Sequence, residues 1–115
     1  MEIGTLQDIN AIRYYGVGLL DRFGVSIGHT VQVEGNEIAV FRTSDDRLFA
    51  IDNMSAHWNG GTLSEGILSG HDLYDPLYVS RINLETGAIY APSTGQVRIY
   101  PICVEGNEVQ IGLPA

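Results

Sequence analysis

Thr30-Val31-Gln32-Val33-Glu34-Gly35-Asn36-Glu37-Ile38-Ala39-Val40-Phe41 decides the fold class. β-Branched and apolar residues flank Gly35-Asn36, and both of those residues tolerate the positive φ that a tight hairpin turn demands. The stretch therefore predicts an antiparallel hairpin, Thr30 to Val33 against Glu37 to Phe41. Beyond it a third strand is expected over Leu48-Phe49-Ala50-Ile51-Asp52, after the turn signal Ser44-Asp45-Asp46. Short segments broken by turn residues about every eight to twelve positions read as a sandwich or barrel. The domain is expected to be all-β.

Near the other end, Val104-Glu105-Gly106-Asn107-Glu108-Val109 echoes Val33-Glu34-Gly35-Asn36-Glu37-Ile38, a repeated turn and not a repeated domain. Val97-Arg98-Ile99-Tyr100 and Ile102-Cys103-Val104 read as strands, and two more short ones are expected within Asp72 to Tyr78 and Val79 to Leu84. Glu85-Thr86-Gly87 is a turn leading into Ala88-Ile89-Tyr90. Between the β-rich ends, Asn53 to about Ser69 shows little periodicity and reads as a long loop, with Gly60-Gly61 and Gly66 as backbone permissions. Such a loop inside a compact sandwich is more often functional than idle. Residues 1–12 read as an N-terminal extension, in which Ile9, Ile12 and Arg13 are compatible with one short amphipathic turn. Tyr14 and Tyr15 read as core or edge aromatics, and His29 and His71 as solvated side chains at turns.

The 115 residues suit one domain with one packed core, and 44% apolar with 17% charged residues is a globular composition. Fourteen acidic residues face six arginines and no lysine, a formal net charge of −8. That balance argues against nucleic acid and anionic membranes, and for a protein partner with a basic or neutral face. The start, Met1-Glu2-Ile3-Gly4-Thr5, carries no secretory pattern, and no apolar run approaches the ~20 residues of a membrane span. A single cysteine, Cys103, excludes an intramolecular disulfide and agrees with a reducing compartment, so a cytoplasmic location is expected.

Leu63-Ser64-Glu65-Gly66 after a His and a Gly pair, then Asp75-Pro76-Leu77-Tyr78, Asn83-Leu84-Glu85-Thr86-Gly87 and Val97-Arg98-Ile99-Tyr100-Pro101, resemble in order and spacing a Rieske ferredoxin domain. Gly18 to Phe23 and Val31-Gln32-Val33 resemble the family's opening strands. The resemblance implies a Rieske-type antiparallel β-sandwich over residues 13–115, with an inserted ligand-loop subdomain at about 53–92. The family's two loops carry CxH and CxxH, which hold a two-iron cluster by two thiolates and two imidazoles. With the histidine kept in register, CxH becomes Ser55-Ala56-His57 and CxxH becomes Asp75-Pro76-Leu77-Tyr78. Counted back from Leu63 instead, the first pair falls at Ala56 and Trp58. Either register removes both cysteines and at least one histidine, and Cys103 is placed elsewhere.

A kept scaffold with lost ligands resembles the small subunit of assimilatory NAD(P)H-dependent nitrite reductase, as do the spacing of Asp52-Asn53 to Leu63-Ser64 and the form of the second motif. That resemblance implies a non-catalytic accessory role in reducing nitrite to ammonium, as part of nitrate assimilation. It implies no cofactor and no metal in this chain, with FAD, siroheme and an iron–sulfur cluster in the large subunit that is its partner. The rival reading is a Rieske-type ferredoxin that serves an oxygenase through atypical ligands. A third is a free-standing binding module.

Ser55, His57 and Asp75 contain the residue types of a hydrolytic triad, but no nucleophile elbow or oxyanion-hole signature accompanies them. His57 alone lacks the three or four convergent donors of a metal site. Asp75, Tyr78 and Ser55 are instead expected to hydrogen-bond across the gap where a cluster would join the loops. Trp58, with His57 and Tyr78, is expected at a partner interface, since tryptophan is enriched at hot spots. Asn53-Met54-Ser55 matches a glycosylation sequon, which carries no weight without a secretory signal.

Overall fold

The computed structural model describes residues 11–54, 62–76 and 80–115. Among them run β1 (Ile12–Leu19), β2 (Gly28–Val33), β3 (Asn36–Arg42), β4 (Leu48–Asp52), β5 (Ile67–Ser69), β6 (Asp72–Tyr74), β7 (Arg81–Asn83), β8 (Ile99–Tyr100), β9 (Ile102–Glu105) and β10 (Glu108–Pro114). They form three sheets, β1-β10-β9, β2-β3-β4-β8 and the small β5-β6-β7, antiparallel throughout. This is the expected all-β sandwich with an inserted lobe.

β3 and β4 sit at its centre because their sequence is apolar at successive positions. Side chains alternate between the faces of a strand, so an uninterrupted apolar run must be covered on both sides. Ile38 and Val40 point to one side, where they pack with Val109, Ile111 and Leu113 of β10 and with Tyr100. Ala39 and Phe41 point to the other, into a core shared with Phe49 and Ile51 of β4, Leu73, Ile82 and Leu84 of the lobe, and Leu63, Ile89 and Val97. Burying a side chain of this size stabilises by about 1.5–3 kcal/mol relative to leaving it exposed. The lobe is therefore one cover of the central sheet.

β4 has the bounds expected from the sequence. The first hairpin does not turn where expected: Val33 pairs with Asn36, so Glu34 and Gly35, at φ 48° and 82°, are the turn residues. Asn36 instead closes the hairpin, its Nδ2 donating to the Val33 carbonyl at 3.1 Å. The echo at 104–109 folds one residue out of step, pairing Glu105 with Glu108 and placing Gly106, at φ 63°, first in its turn. Two positive φ values suit a type I′ turn, and one at the first position suits type II′.

Other expectations are corrected. Ile12 and Arg13 belong to β1, paired with Pro114 and Leu113, and form no amphipathic turn. The loop expected from Asn53 to Ser69 is shorter, because Leu63–Glu65 is a 3-10 turn and Ile67–Ser69 is β5. His29 lies within β2 and not at a turn; its Nε2 accepts the Gly24 N–H at 3.1 Å, and its ring meets Phe23 edge-on. His71 is at a turn but is clasped by two carboxylates. Tyr14 and Tyr15 lie on the edge strand β1, and Cys103 is exposed on β9. No helix among the described residues is long and apolar enough to cross a membrane.

Candidate functional site: two braced loop bases

The first base lies where β4 ends. Asn53 is fully buried, and its backbone N–H donates to the Glu37 carbonyl at 3.1 Å. Its own carbonyl accepts from Leu63 N–H at 3.1 Å, and its Oδ1 accepts from Ser64 N–H at 2.7 Å. Its Nδ2 donates to Thr30 Oγ1 at 3.1 Å and to Glu37 Oε2 at 2.8 Å, while Thr30 Oγ1 donates to Ser64 Oγ at 2.9 Å. A buried amide must find such partners, since each unmade bond costs about 1–3 kcal/mol. One side chain thus ties together both legs of the loop, joined again by the Met54–Thr62 bridge, and fixes them to β2 and β3. Gly28 permits the approach: a Cβ there would stand 2.1 Å from the Ser64 carbonyl oxygen.

The second base is the β6–β7 hairpin. Asp75 is 6% exposed, and its N–H donates to the Ser80 carbonyl at 3.0 Å; Ser80 Oγ and Ser93 Oγ are 3.2 Å apart. Beneath it, Tyr90 Oη donates to Asp72 Oδ1 at 2.9 Å and accepts from Asn83 Nδ2 at 3.1 Å. The Arg81 guanidinium lies 4.0 Å from the centre of the Tyr90 ring, with its Nε 3.7 Å from Asp72. The bond to Asp72, then burial, push the Tyr90 phenol above its ordinary pKa. Asn83 Oδ1 also accepts from Glu85 N–H at 2.8 Å and Thr86 N–H at 3.3 Å, shaping the turn that follows. The two bases touch closely at Gly66, where a Cβ would meet the Tyr74 carbonyl oxygen at 2.5 Å.

Of the residues singled out from the sequence, Asp75 is at the second base, buried. Ser55, His57, Trp58 and Tyr78 lie outside the described residues, as does the expected bracing among Ser55, Asp75 and Tyr78. The braces that are seen use residues which sequence reasoning passed over: Asn53, Thr30, Glu37 and Ser64, and the set Tyr90, Asp72, Asn83 and Arg81. One signal was legible, a polar Asn directly after Phe49-Ala50-Ile51-Asp52. Its partners are eleven to 23 residues distant in sequence and leave no local pattern. The same geometry disposes of the sequon, because the Asn53 amide nitrogen is buried and already donates twice.

One loop base at the end of β4 and a second on the β6–β7 hairpin of a three-sheet β-sandwich define the class: the chain belongs to the Rieske-like [2Fe-2S] domain family, whose model matches residues 13–112. It is 33% identical over 110 residues to the ferredoxin component of the naphthalene 1,2-dioxygenase system of Pseudomonas aeruginosa, covering 95% of this chain and 98% of that protein. Among solved structures it is similar to the ferredoxin of carbazole 1,9a-dioxygenase from Nocardioides aromaticivorans (29% identity, TM-score 0.78, 85% and 95% covered). It shares its fold with a Mycobacterium tuberculosis protein assigned as an NADH-dependent nitrite reductase small subunit (20% identity, TM-score 0.84, 91% and 98% covered).

The donor set does not fit the cluster in the family's description. A Rieske centre takes two thiolates, and the chain has one cysteine. That cysteine lies on β9, in the sheet covering the face of β3 and β4 opposite the lobe. Asp75, which the resemblance sets at the first position of the family's CxxH, is buried. Among the described residues no three His, Cys, Asp or Glu side chains gather to hold a metal ion.

Proposed function

We propose that this chain is a cluster-free accessory subunit, a Rieske-fold adapter that docks on the siroheme- and flavin-bearing large subunit of a cytoplasmic NAD(P)H-dependent nitrite reductase. The observation that carries the reading is the donor count: a single thiol, on the wrong sheet, where the fold's cluster takes two. The first loop base is consistent with it, since hydrogen bonds through Asn53 hold the loop's legs together. The choice of large subunit follows the forms Ser55-Ala56-His57 and Asp75-Pro76-Leu77-Tyr78 and the fold shared with a nitrite reductase small subunit. Its simplest contribution is to stabilise the folded partner by binding it.

Co-expression with a candidate large subunit tests the proposal. Co-purification and faster nitrite-dependent NAD(P)H oxidation in the presence of this chain are expected; no association and no change in rate would remove it. Trp58→Ala is expected to weaken capture by the large subunit by about tenfold or more, the scale of a hot-spot residue, with the melting temperature nearly unchanged. A large fall in melting temperature would make Trp58 a core residue instead.

The identity with dioxygenase ferredoxin components favours a second reading, an electron carrier for an oxygenase. It requires a cluster, so iron analysis and visible absorption of anaerobically purified protein separate the two. A coloured protein with about two irons per chain would establish the carrier and overturn the adapter.

A further inference from the structure

His71 lies in the turn between β5 and β6, and its two ring nitrogens meet carboxylates from two different parts of the molecule. Nδ1 is 2.6 Å from Glu85 Oε2, in the turn that follows β7. Nε2 is 2.9 Å from Asp45 Oδ2, in the turn between β3 and β4 of the central sheet. A neutral imidazole has one N–H and one lone pair, so it can donate to only one of these carboxylates and must turn a lone pair on the other. Only the imidazolium donates to both. We propose that His71 is a proton-operated clasp that fastens the β5-β6-β7 lobe, and with it the second loop base, to the β3–β4 turn.

The surroundings are arranged for the charged form. Among the described residues, the ionisable groups at the ring are Asp45 and Glu85 on its nitrogens, with Arg47 one layer away, its guanidinium 5.2 Å from the centre of the Phe49 ring that contacts His71. On the clasp's own element, Asp72 is taken up by Tyr90 and Arg81, and in the facing turn Asp46 holds Arg42 at 2.7 Å. Asp45 is itself fixed, accepting the Thr43 hydroxyl on its other oxygen. The His71 carbonyl accepts the Leu84 N–H at 2.9 Å, so movement of the turn is felt directly in the lobe's core. The hydrogen bond to Glu85, followed by that to Asp45, raises the His71 pKa above its ordinary 6.5. A raised histidine contributes fully below its unfolded pKa and loses its contribution as pH climbs through the folded value. The clasp is closed at and below the ordinary histidine pKa and opens as pH rises through the raised value. At the acid end, bonds from Thr43 and then His71 depress the Asp45 pKa below 3.8, so that half holds until pH falls through the lowered value.

This inference needs no partner and stands apart from the proposed function. Its test is a histidine NMR titration combined with hydrogen exchange at Leu84. The His71 midpoint is expected above 6.5 in the native chain and nearer to it in both Asp45→Asn and Glu85→Gln. Corrected for intrinsic exchange, protection at Leu84 should fall by about tenfold as pH passes through that midpoint, while Val40 in the central sheet keeps its protection. In His71→Gln, which retains a polar side chain at a partly exposed site, the step should vanish. A His71 midpoint at or below 6.5, a Leu84 protection without a step, or the same step in His71→Gln would each overturn the clasp. The titration is read on the native chain and does not depend on any variant folding.

Discussion

At the scale of single residues, Asn53 sets the first loop base, and its worth can be measured against its neighbour. Asn53→Leu removes every side-chain bond from a fully buried position and leaves the half-buried Ser64 N–H without its acceptor, so a loss of about 2–4 kcal/mol in urea unfolding is expected. Ser64→Ala removes a hydroxyl from a partly open position and should cost under about 1 kcal/mol. Equal losses would show that Asn53 is not the hub. Only the polar Asn after the apolar run of β4 was legible; the partners of Asn53 and Ser64 were not, because the bonds that matter join positions far apart in the chain. His71 was misread for the same reason: its partners lie 26 residues before it and 14 after it, and an isolated histidine between Gly70 and Asp72 reads as solvated.

At the scale of elements, two glycines separate two kinds of necessity. Gly35 turns with φ 82°, and a Cβ there meets nothing within 4 Å, so Gly35→Ala is expected to cost only the conformational penalty of about 1 kcal/mol. Gly28 lies in β2 without an unusual φ, yet an added Cβ would overlap the Ser64 carbonyl and press on the Phe41 ring. Gly28→Ala should therefore cost more than about 2 kcal/mol and loosen the first loop base. Thermal or chemical unfolding of the two variants checks the order; the reverse order would mean that the loop leg yields easily. β3 and β4 were legible because their apolar runs are long enough to carry a pattern. β5 was not, since Ile67-Leu68-Ser69 is too short for alternation to show. The hairpin was legible but its register was not: Val-Glu-Gly-Asn-Glu closes on Val33 and Asn36 in one place and on Glu105 and Glu108 in the other. The flanking sheets decide which residues must face inward, and the turn follows.

At the scale of the whole molecule, stability should decline in strong alkali through one buried phenol. Tyr100 packs in the core beneath β10 and donates to Asp52, and burial followed by that bond pushes its pKa up to about 12. A raised phenol contributes fully below its unfolded value near 10 and loses its contribution as pH rises through the folded value. Unfolding free energy should accordingly fall between pH 10 and 12, and Tyr100→Phe should flatten that part of the curve. An unchanged slope in the variant would assign the decline to other groups.

The central sheet also bears on why the lobe is a fixed part of the fold. Ala39, Phe41, Phe49 and Ile51 are sealed from water by the same lobe that carries the second loop base. Deleting that lobe would strip half the hydrophobic core, so that base is inherited with the core whether or not its loop holds anything.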